Sequence, residues 1–277
     1  MAMNRRTFLG TMTAATLIGT RLSWAAADHK LDKIGVQLYT VRDDMKKDFS
    51  GTLAKVAQIG YREVEFAGLF DHPAKEVRAM LDHNGLTAPS SHVPYESLGA
   101  NWAHMLEDAK TLGQSYIVCP SVDESVRNQP DGWKQAADAF NRAGEASKKM
   151  GIQFGYHNHT PEFQPTKDGK LPYDILLTET DPKLVTMEMD LYWITKAGQD
   201  PLKYFDNYRG RFALVHVKDM KKDGSMTSVG DGTIDFKKIF AASDKAGIKH
   251  YFVEHDEPKS PLDDIRSSFQ YLSKLRF

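Results

Sequence analysis

The sequence has almost no cysteine, no excess of charge of either sign and, beyond its N-terminus, no long apolar run. The single cysteine, Cys119, excludes an internal disulfide, and its position in SYIVCP predicts a small buried strand residue. A formal net charge of −1 argues against a surface that holds nucleic-acid phosphates. Without a second long apolar run, we predict no membrane association once the N-terminal segment has been cleaved. These absences leave a small-molecule enzyme or binding protein.

The N-terminus has the pattern of an export signal. The letters RRTFLG begin at Arg5, an apolar stretch covers 10–18, and three alanines at 25–27 resemble a cleavage site. The apolar stretch is too short to span a bilayer. We therefore predict that residues 1–27 are a twin-arginine signal peptide, that the twin-arginine export machinery is a partner, and that the mature protein is periplasmic or secreted.

Strand-like and helix-like patterns alternate eight times through residues 28–277. The strand candidates are 34–39, 61–66, 87–92, 115–119, 152–157, 184–190, 212–217 and 251–254. The helix candidates are 51–58, 74–84, 102–112, 132–150, 172–180, 201–207, 236–246 and 262–275. A doubly wound open sheet is the alternative, but no Gly-x-Gly-x-x-Gly follows the first strand. With 41% hydrophobic residues and the usual size of about 250 residues, the pattern predicts one α/β domain, a single (β/α)8 TIM barrel.

Four polar side chains end four of the strand candidates in the second half of the chain. They are His157, Asp190, His216 and Glu254. The ends of parallel strands converge on one face of a barrel, so these side chains are expected to meet. A mixed set of imidazole and carboxylate groups suits one divalent ion, Mn, Co, Zn or Fe.

Strand periodicity adds further groups to the same face, because side chains alternate along a strand. Lys218 shares the face of His216, and it either acts as a neutral base or remains charged beside a developing oxyanion. Pairing of Lys218 with Glu188 is an equally good structural explanation. The deeper Glu63 and Glu188 are also compatible with paired charges of the barrel core, and Asp219 with a loop brace.

Six segments together resemble the xylose isomerase-like superfamily of TIM barrels, a group of sugar isomerases and epimerases. They are GVQLYTVRD (35–43), YHNHTPEF (156–163), MDLYW (189–193), HVKD (216–219), GDGTIDF (230–236) and VEHDEP (253–258). The resemblance covers essentially the whole mature chain. It implies a metal held by a carboxylate of strand five, an Asp of strand six, a His of strand seven and a Glu of strand eight. Asp190, His216 and Glu254 match this pattern directly.

Strand five departs from the family pattern, because many relatives carry Glu where this chain has His157. Either His157 itself binds the metal, or Glu162 folds back from the following loop to supply the missing carboxylate. We favour Glu162 as the fourth ligand, which leaves His157 and His159 to hold substrate or to move protons.

These residues predict a metal-dependent isomerase or epimerase that acts on an unphosphorylated keto-sugar through an enediolate. The candidate catalytic residues are His92, His157 and Lys218. The candidate substrate-binding residues are Glu65, His159, Trp193 and Asp256. An alternative is a lyase or hydrolase that eliminates next to the ketone of a 3-keto-glycoside. A second alternative is a periplasmic protein that binds sugar without catalysis and needs no metal.

Overall fold

The computed structural model describes residues 29–277. The predicted signal peptide and its cleavage site after Ala27 lie outside the described residues. Within the described range, no helix combines the length and the apolar character needed to cross a membrane.

Eight parallel strands form one barrel. They are β1 Gly35–Gln37, β2 Glu63–Phe66, β3 Thr87–Ser91, β4 Tyr116–Cys119, β5 Gln153–His157, β6 Val185–Asp190, β7 Phe212–Val217 and β8 His250–Val253. Each strand pairs with the next except β3 and β4, which are joined by a single parallel bridge between His92 and Val118, and β8 pairs with β1. Between β3 and β4, the amide of Ser115 donates to the carbonyl of Pro89 at 3.0 Å, and the amide of Val93 donates to that of Val118 at 2.8 Å. The predicted single (β/α)8 barrel is confirmed.

The helices surround the barrel and pack apolar side chains against the outward faces of the strands. The α-helices are Arg42–Lys47, Phe49–Ile59, Ala74–Asn84, Trp102–Leu112, Glu124–Arg127, Gly132–Lys149, Pro172–Glu179, Leu191–Lys196, Pro201–Asn207, Phe236–Phe240, Ser243–Ala246 and Pro261–Lys274. Three 3-10 helices cover Leu38–Val41, Tyr95–Leu98 and Pro161–Phe163. Met187 and Met189 of β6 lie in this outer core, so Glu188 and Asp190 point into the barrel as predicted.

The first strand is shorter than the prediction. The side chain of Gln37 accepts a hydrogen bond from the amide of Tyr39 at 3.1 Å and begins a 3-10 helix there. The prediction also missed the helices Arg42–Lys47, Glu124–Arg127 and Leu191–Lys196. Each has six residues or fewer, too short for a helical repeat of apolar positions to become visible in the sequence.

The loop after β7 contains a short antiparallel hairpin, Asp219–Met220 with Met226–Thr227. The carboxylate of Asp219 accepts hydrogen bonds from the amides of Gly230, Gly232 and Ile234 at 2.9 to 3.2 Å. A Cβ at Gly232 would lie 2.2 Å from Asp219 Oδ1, so this approach requires glycine. Asp219 therefore braces the loop, as predicted.

At the opposite end of the barrel, the buried carboxylate of Glu63 has two basic partners. Nδ1 of His250 lies 2.8 Å from Glu63 Oε2, and Lys33 Nζ lies 3.4 Å from Glu63 Oε1. Glu63 is thus a paired charge of the barrel core, as one of its two interpretations held. His250, for which the sequence suggested no role, is its partner.

Candidate active site

A cavity of about 580 Å³ opens at the carboxyl ends of the strands. Its walls include Tyr39, His92, His157, His159, Lys218, Glu254 and Asp256. Five of these residues were predicted from the sequence as catalytic or substrate-binding, and Glu254 as a metal ligand. The cavity has the size of a small-molecule site and contains several convergent polar groups.

The structure brings three of the four predicted metal ligands together. Asp190 of β6 and His216 of β7 are register partners, and Glu254 directly follows β8. Nδ1 of His216 lies 2.7 Å from Glu254 Oε2. One donor atom of each of the three residues lies within 4.8 Å of the others, and all three are buried. We refer to Asp190, His216 and Glu254 as the ligand group.

Asp190 is oriented by the backbone around it. Its Oδ1 accepts hydrogen bonds from the amides of Tyr192 and Trp193, each at 2.9 Å, and so caps the helix Leu191–Lys196. The amide of Asp190 donates to Asn158 Oδ1 at 3.1 Å. Its Oδ2 is buried and has no hydrogen bond among the described residues. Burial raises the pKa of Asp190 to about 6.

Glu65 lies behind the ligand group instead of in the cavity wall. It is fully buried, and its Oε2 lies 2.7 Å from His216 Nε2 and accepts from Gln37 Nε2 at 2.9 Å. The prediction that Glu65 binds substrate is therefore revised, because the side chain faces a histidine and not the cavity. A carboxylate in this position fixes the orientation of the His216 ring, so that Nδ1 faces Glu254.

Two further histidines meet the buried carboxylate of Glu188. Its Oε2 lies 2.7 Å from His92 Nε2 and 3.2 Å from His157 Nδ1. Burial opposes protonation of His92, but the charges of Glu65 and Glu188 prevail and raise its pKa. Burial and the neighbouring His216 hold the pKa of His157 well below its usual value. Glu188 Oε2 also lies 3.2 Å from His216 Nε2, and the pKa of His216 is raised well above its usual value because the charges of Glu188 and Glu254 outweigh burial. Among these three imidazoles, His92 and His216 therefore favour the protonated form, whereas His157 is neutral.

Lys218 lies among three carboxylates. Its Nζ is 2.7 Å from Glu254 Oε2, 2.8 Å from Asp256 Oδ1 and 3.0 Å from Asp190 Oδ2. Burial alone would lower the pKa of Lys218, but these three charges raise it. Lys218 is therefore a permanent cation of the site, not a neutral base, and its partners do not include Glu188. Asp256, predicted to bind substrate, is its outermost partner.

His159 and Trp193 form one side of the site, with ring centroids 5.7 Å apart. The ring of Trp193 lies 5.6 Å from Lys218 Nζ, within the range of a cation–π contact. Burial and the charge of Lys218 lower the pKa of His159 to about 3. His159 is accordingly neutral, and both rings are suited to contact a substrate.

Glu162, the favoured fourth ligand, does not join the other three. One of its oxygens accepts from the hydroxyl of Tyr156, and the other accepts from the amide of His159 at 2.8 Å. It belongs to neither cluster of potential ligands, whereas His157 Nε2 lies 3.7 Å from Asp190 Oδ2. The likeness of the loop to the family pattern suggested a carboxylate ligand, but the hydrogen bonds of Glu162 hold it in the loop.

We expect a Glu162→Gln variant to keep full metal occupancy, because its carboxylate already has two partners away from the ligand group. An Asp190→Asn variant should lose most of the metal, since the neutral amide replaces a charged ligand. Elemental analysis of both purified variants would check this. Metal loss in Glu162→Gln, with an unchanged melting temperature, would restore Glu162 as a ligand.

The ligand group fits a divalent transition metal. Two carboxylates and one imidazole are the donors that Zn and its neighbours accept, and three protein ligands leave positions for substrate oxygens. Oδ2 of Asp190, which is paired with the ammonium of Lys218 at 3.0 Å, is one such donor atom, because it accepts no hydrogen bond among the described residues. The sequence alone did not indicate Asn158, which orients Asp190, or Gln37, which orients Glu65. Neither is a charged residue at the end of a strand candidate.

Comparison with known proteins finds enzymes among those that resemble this barrel in sequence and in structure. An inosose dehydratase of Lacticaseibacillus casei is 26% identical over 267 residues, with 81% of this chain and 88% of the relative covered. A crystal structure described as a sugar phosphate isomerase/epimerase from Parabacteroides distasonis is 30% identical, with a TM-score of 0.74 and coverage of 91% and 95%. A crystal structure of the IOLI protein with a bound zinc atom has a TM-score of 0.68 at 15% identity and coverage of 86% and 95%, a likeness of fold.

The family assignment follows from the extent of these matches. The family model for the xylose isomerase-like TIM barrel matches residues 53–275, nearly the whole described barrel. The chain belongs to the xylose isomerase-like TIM barrel family.

Proposed function

We propose that this protein is a divalent-metal-dependent lyase that removes a proton from the carbon next to the ketone of an unphosphorylated keto-sugar and eliminates the substituent on the following carbon. The observation that carries the proposal is one cavity whose wall contains Glu254 of the ligand group together with two imidazoles of opposite protonation, His92 and His157. The dehydratase name of several relatives supports elimination over isomerisation.

The ligand group would hold a Mn, Co, Zn or Fe ion, which supplies Lewis-acid polarisation of the ketone and a neighbouring oxygen. The neutral His157 accepts the proton from the carbon next to the ketone. The charged Lys218 stabilises the negative charge that then develops on oxygen. His92 returns a proton to the departing group, so the C–O bond breaks, a carbon–carbon double bond forms and water or an alcohol leaves.

The predicted export of the chain favours an unphosphorylated substrate, because a periplasmic enzyme would rarely meet sugar phosphates. Lys218 is the one lysine or arginine in the cavity wall, and its three carboxylate partners already neutralise it, while the imidazole of His92 pairs with Glu188. A phosphate group would therefore meet net negative charge at this wall.

An isomerase or epimerase is the second candidate. It is favoured by the Parabacteroides structures, which are 30% and 29% identical to this chain. The same base and cation would serve it, but the proton would return to carbon and no group would leave. A sugar-binding protein without catalysis is the third possibility.

The test is incubation of the metal-loaded protein with a 3-keto-glycoside or an inosose in deuterated water. A lyase releases one alcohol or water per substrate and forms a product that absorbs in the ultraviolet, and chelation abolishes both signals. Deuterium in recovered sugar without any released group would indicate the isomerase instead. Sugar binding that survives chelation, without turnover, would indicate a binding protein.

A further inference from the structure

A second cavity of about 380 Å³ adjoins the active-site cavity. The two share Ser121 and His159 as wall residues. The second cavity is further lined by Arg127, Thr160, Pro161, Glu162 and Trp193. We call it the outer chamber, and neither the ligand group nor the acid and base residues require it.

The walls of the outer chamber are rich in planar groups. The imidazole of His159 and the indole of Trp193 lie 5.7 Å apart, and the guanidinium of Arg127 completes the set. Indole and guanidinium groups are those that stack against flat rings and against the apolar faces of sugars. The chamber is therefore suited to a ring.

The chamber also has hydrogen-bond donors to spare. Nε1 of Trp193 is buried and has no partner within residues 29–277. The guanidinium of Arg127 contacts Glu124 Oε1 at 3.1 Å and the carbonyl of Val122 at 3.4 Å, which uses two of its five donors. Because Nε1 of Trp193 is shielded from solvent, the remaining N–H groups of the partly exposed Arg127 are the donors that an oxygen of a ligand in the chamber can reach.

The volume of the outer chamber distinguishes between the two possible leaving groups, which are water and an alcohol that carries a ring. A departing water molecule occupies about 30 Å³, an order of magnitude less than the chamber offers. The active-site cavity, at about 580 Å³, already accommodates a keto-sugar by itself. The additional space is explained by a substrate with a second ring attached to its keto-sugar.

We propose that the outer chamber binds a ring-sized leaving group, a sugar or an aromatic ring, joined through oxygen to the keto-sugar in the active site. The proposal rests on the lyase function proposed above and narrows its substrate to keto-glycosides. In the step, the proton next to the ketone leaves, the glycosidic C–O bond breaks, and the ring departs with its oxygen as an alcohol or a phenol. No oxidant or reductant is consumed.

The test uses three 3-keto-glucosides that differ only in their leaving group, which is methanol, glucose or a phenol. A Thr160→Trp variant fills the chamber, and Thr178→Trp places the same indole on the exposed helix Pro172–Glu179 as a matched control. We expect Thr160→Trp to lower kcat/KM at least tenfold for the glucosyl or aryl substrate and less than threefold for the methyl glycoside. The Thr178→Trp variant should leave kcat/KM unchanged for all three substrates. The glucosyl and aryl arms show which kind of ring the chamber prefers.

Equal losses for all three substrates in a folded Thr160→Trp variant, or no loss for any, would overturn the inference while the lyase function stands. Elimination of none of the three by the wild-type protein would overturn the lyase function and this inference with it. If the Thr160→Trp variant does not fold, the Arg127→Met variant tests the proposal in its place. It should raise KM at least threefold for the ring substrates alone, and an unchanged KM contradicts the proposal.

Discussion

Purified wild-type protein should carry about one divalent metal ion per chain, and a His216→Ala/Glu254→Gln variant should carry none. Two of the three residues in the ligand group are then gone, and Asp190 alone cannot hold the ion. Turnover should fall at least a thousandfold, because the Lewis acid and its orientation are lost together. Elemental analysis beside the elimination assay measures both effects.

The matched control is a His83→Ala/Glu107→Gln variant, which changes the same residue types at exposed helix positions. It should keep both metal and activity. If the wild-type protein binds no metal even after reconstitution, the proposed mechanism is wrong, and a sugar-binding barrel becomes the better description.

A Lys218→Met variant should destabilise the metal-free protein by about 3–5 kcal/mol, the usual cost of removing one partner from a buried charge network. Asp190 and Glu254 would remain buried, and the cation between them would be lost. Urea unfolding with and without metal measures the effect. Added metal should recover part of the loss, since its charge also compensates these carboxylates.

The control is Lys245→Met, whose ammonium pairs with Asp206 at 2.5 Å on the surface, with side-chain exposures of 40% and 55%. An exposed pair of this kind contributes about 0–1 kcal/mol. A Lys218→Met variant that loses no more stability than this control would show that the carboxylates do not depend on Lys218.

The fold could be predicted from the sequence because each strand and each long helix has its own local pattern. The strand Phe212–Val217 and the helices Ala74–Asn84 and Trp102–Leu112 have the predicted bounds. The meeting of Asp190, His216 and Glu254 could be predicted as well, because barrel geometry places the ends of neighbouring strands at one level.

The parts that could not be predicted depend on distances across the barrel and on loop paths. The alternation of side chains along its strand predicts that Glu65 faces the cavity. The side chain of His216 extends inward, however, and its imidazole contacts Glu65. The loop hydrogen bonds of Glu162 are set by Tyr156, a residue of the outer core. No sequence pattern gives these distances. Arg127 could not be predicted either, because it lies on a helix of only four residues.

The ammonium of Lys218 bears on whether the protein must bind a metal before it can fold. A zinc finger folds only when its metal arrives, because nothing else holds its ligands together. Here the barrel core and an internal ammonium already hold Asp190 and Glu254 in place. On the proposed function, the newly made chain would reach its native shape first and bind its metal later, so that metal supply would limit how many molecules are active, and not how many are folded.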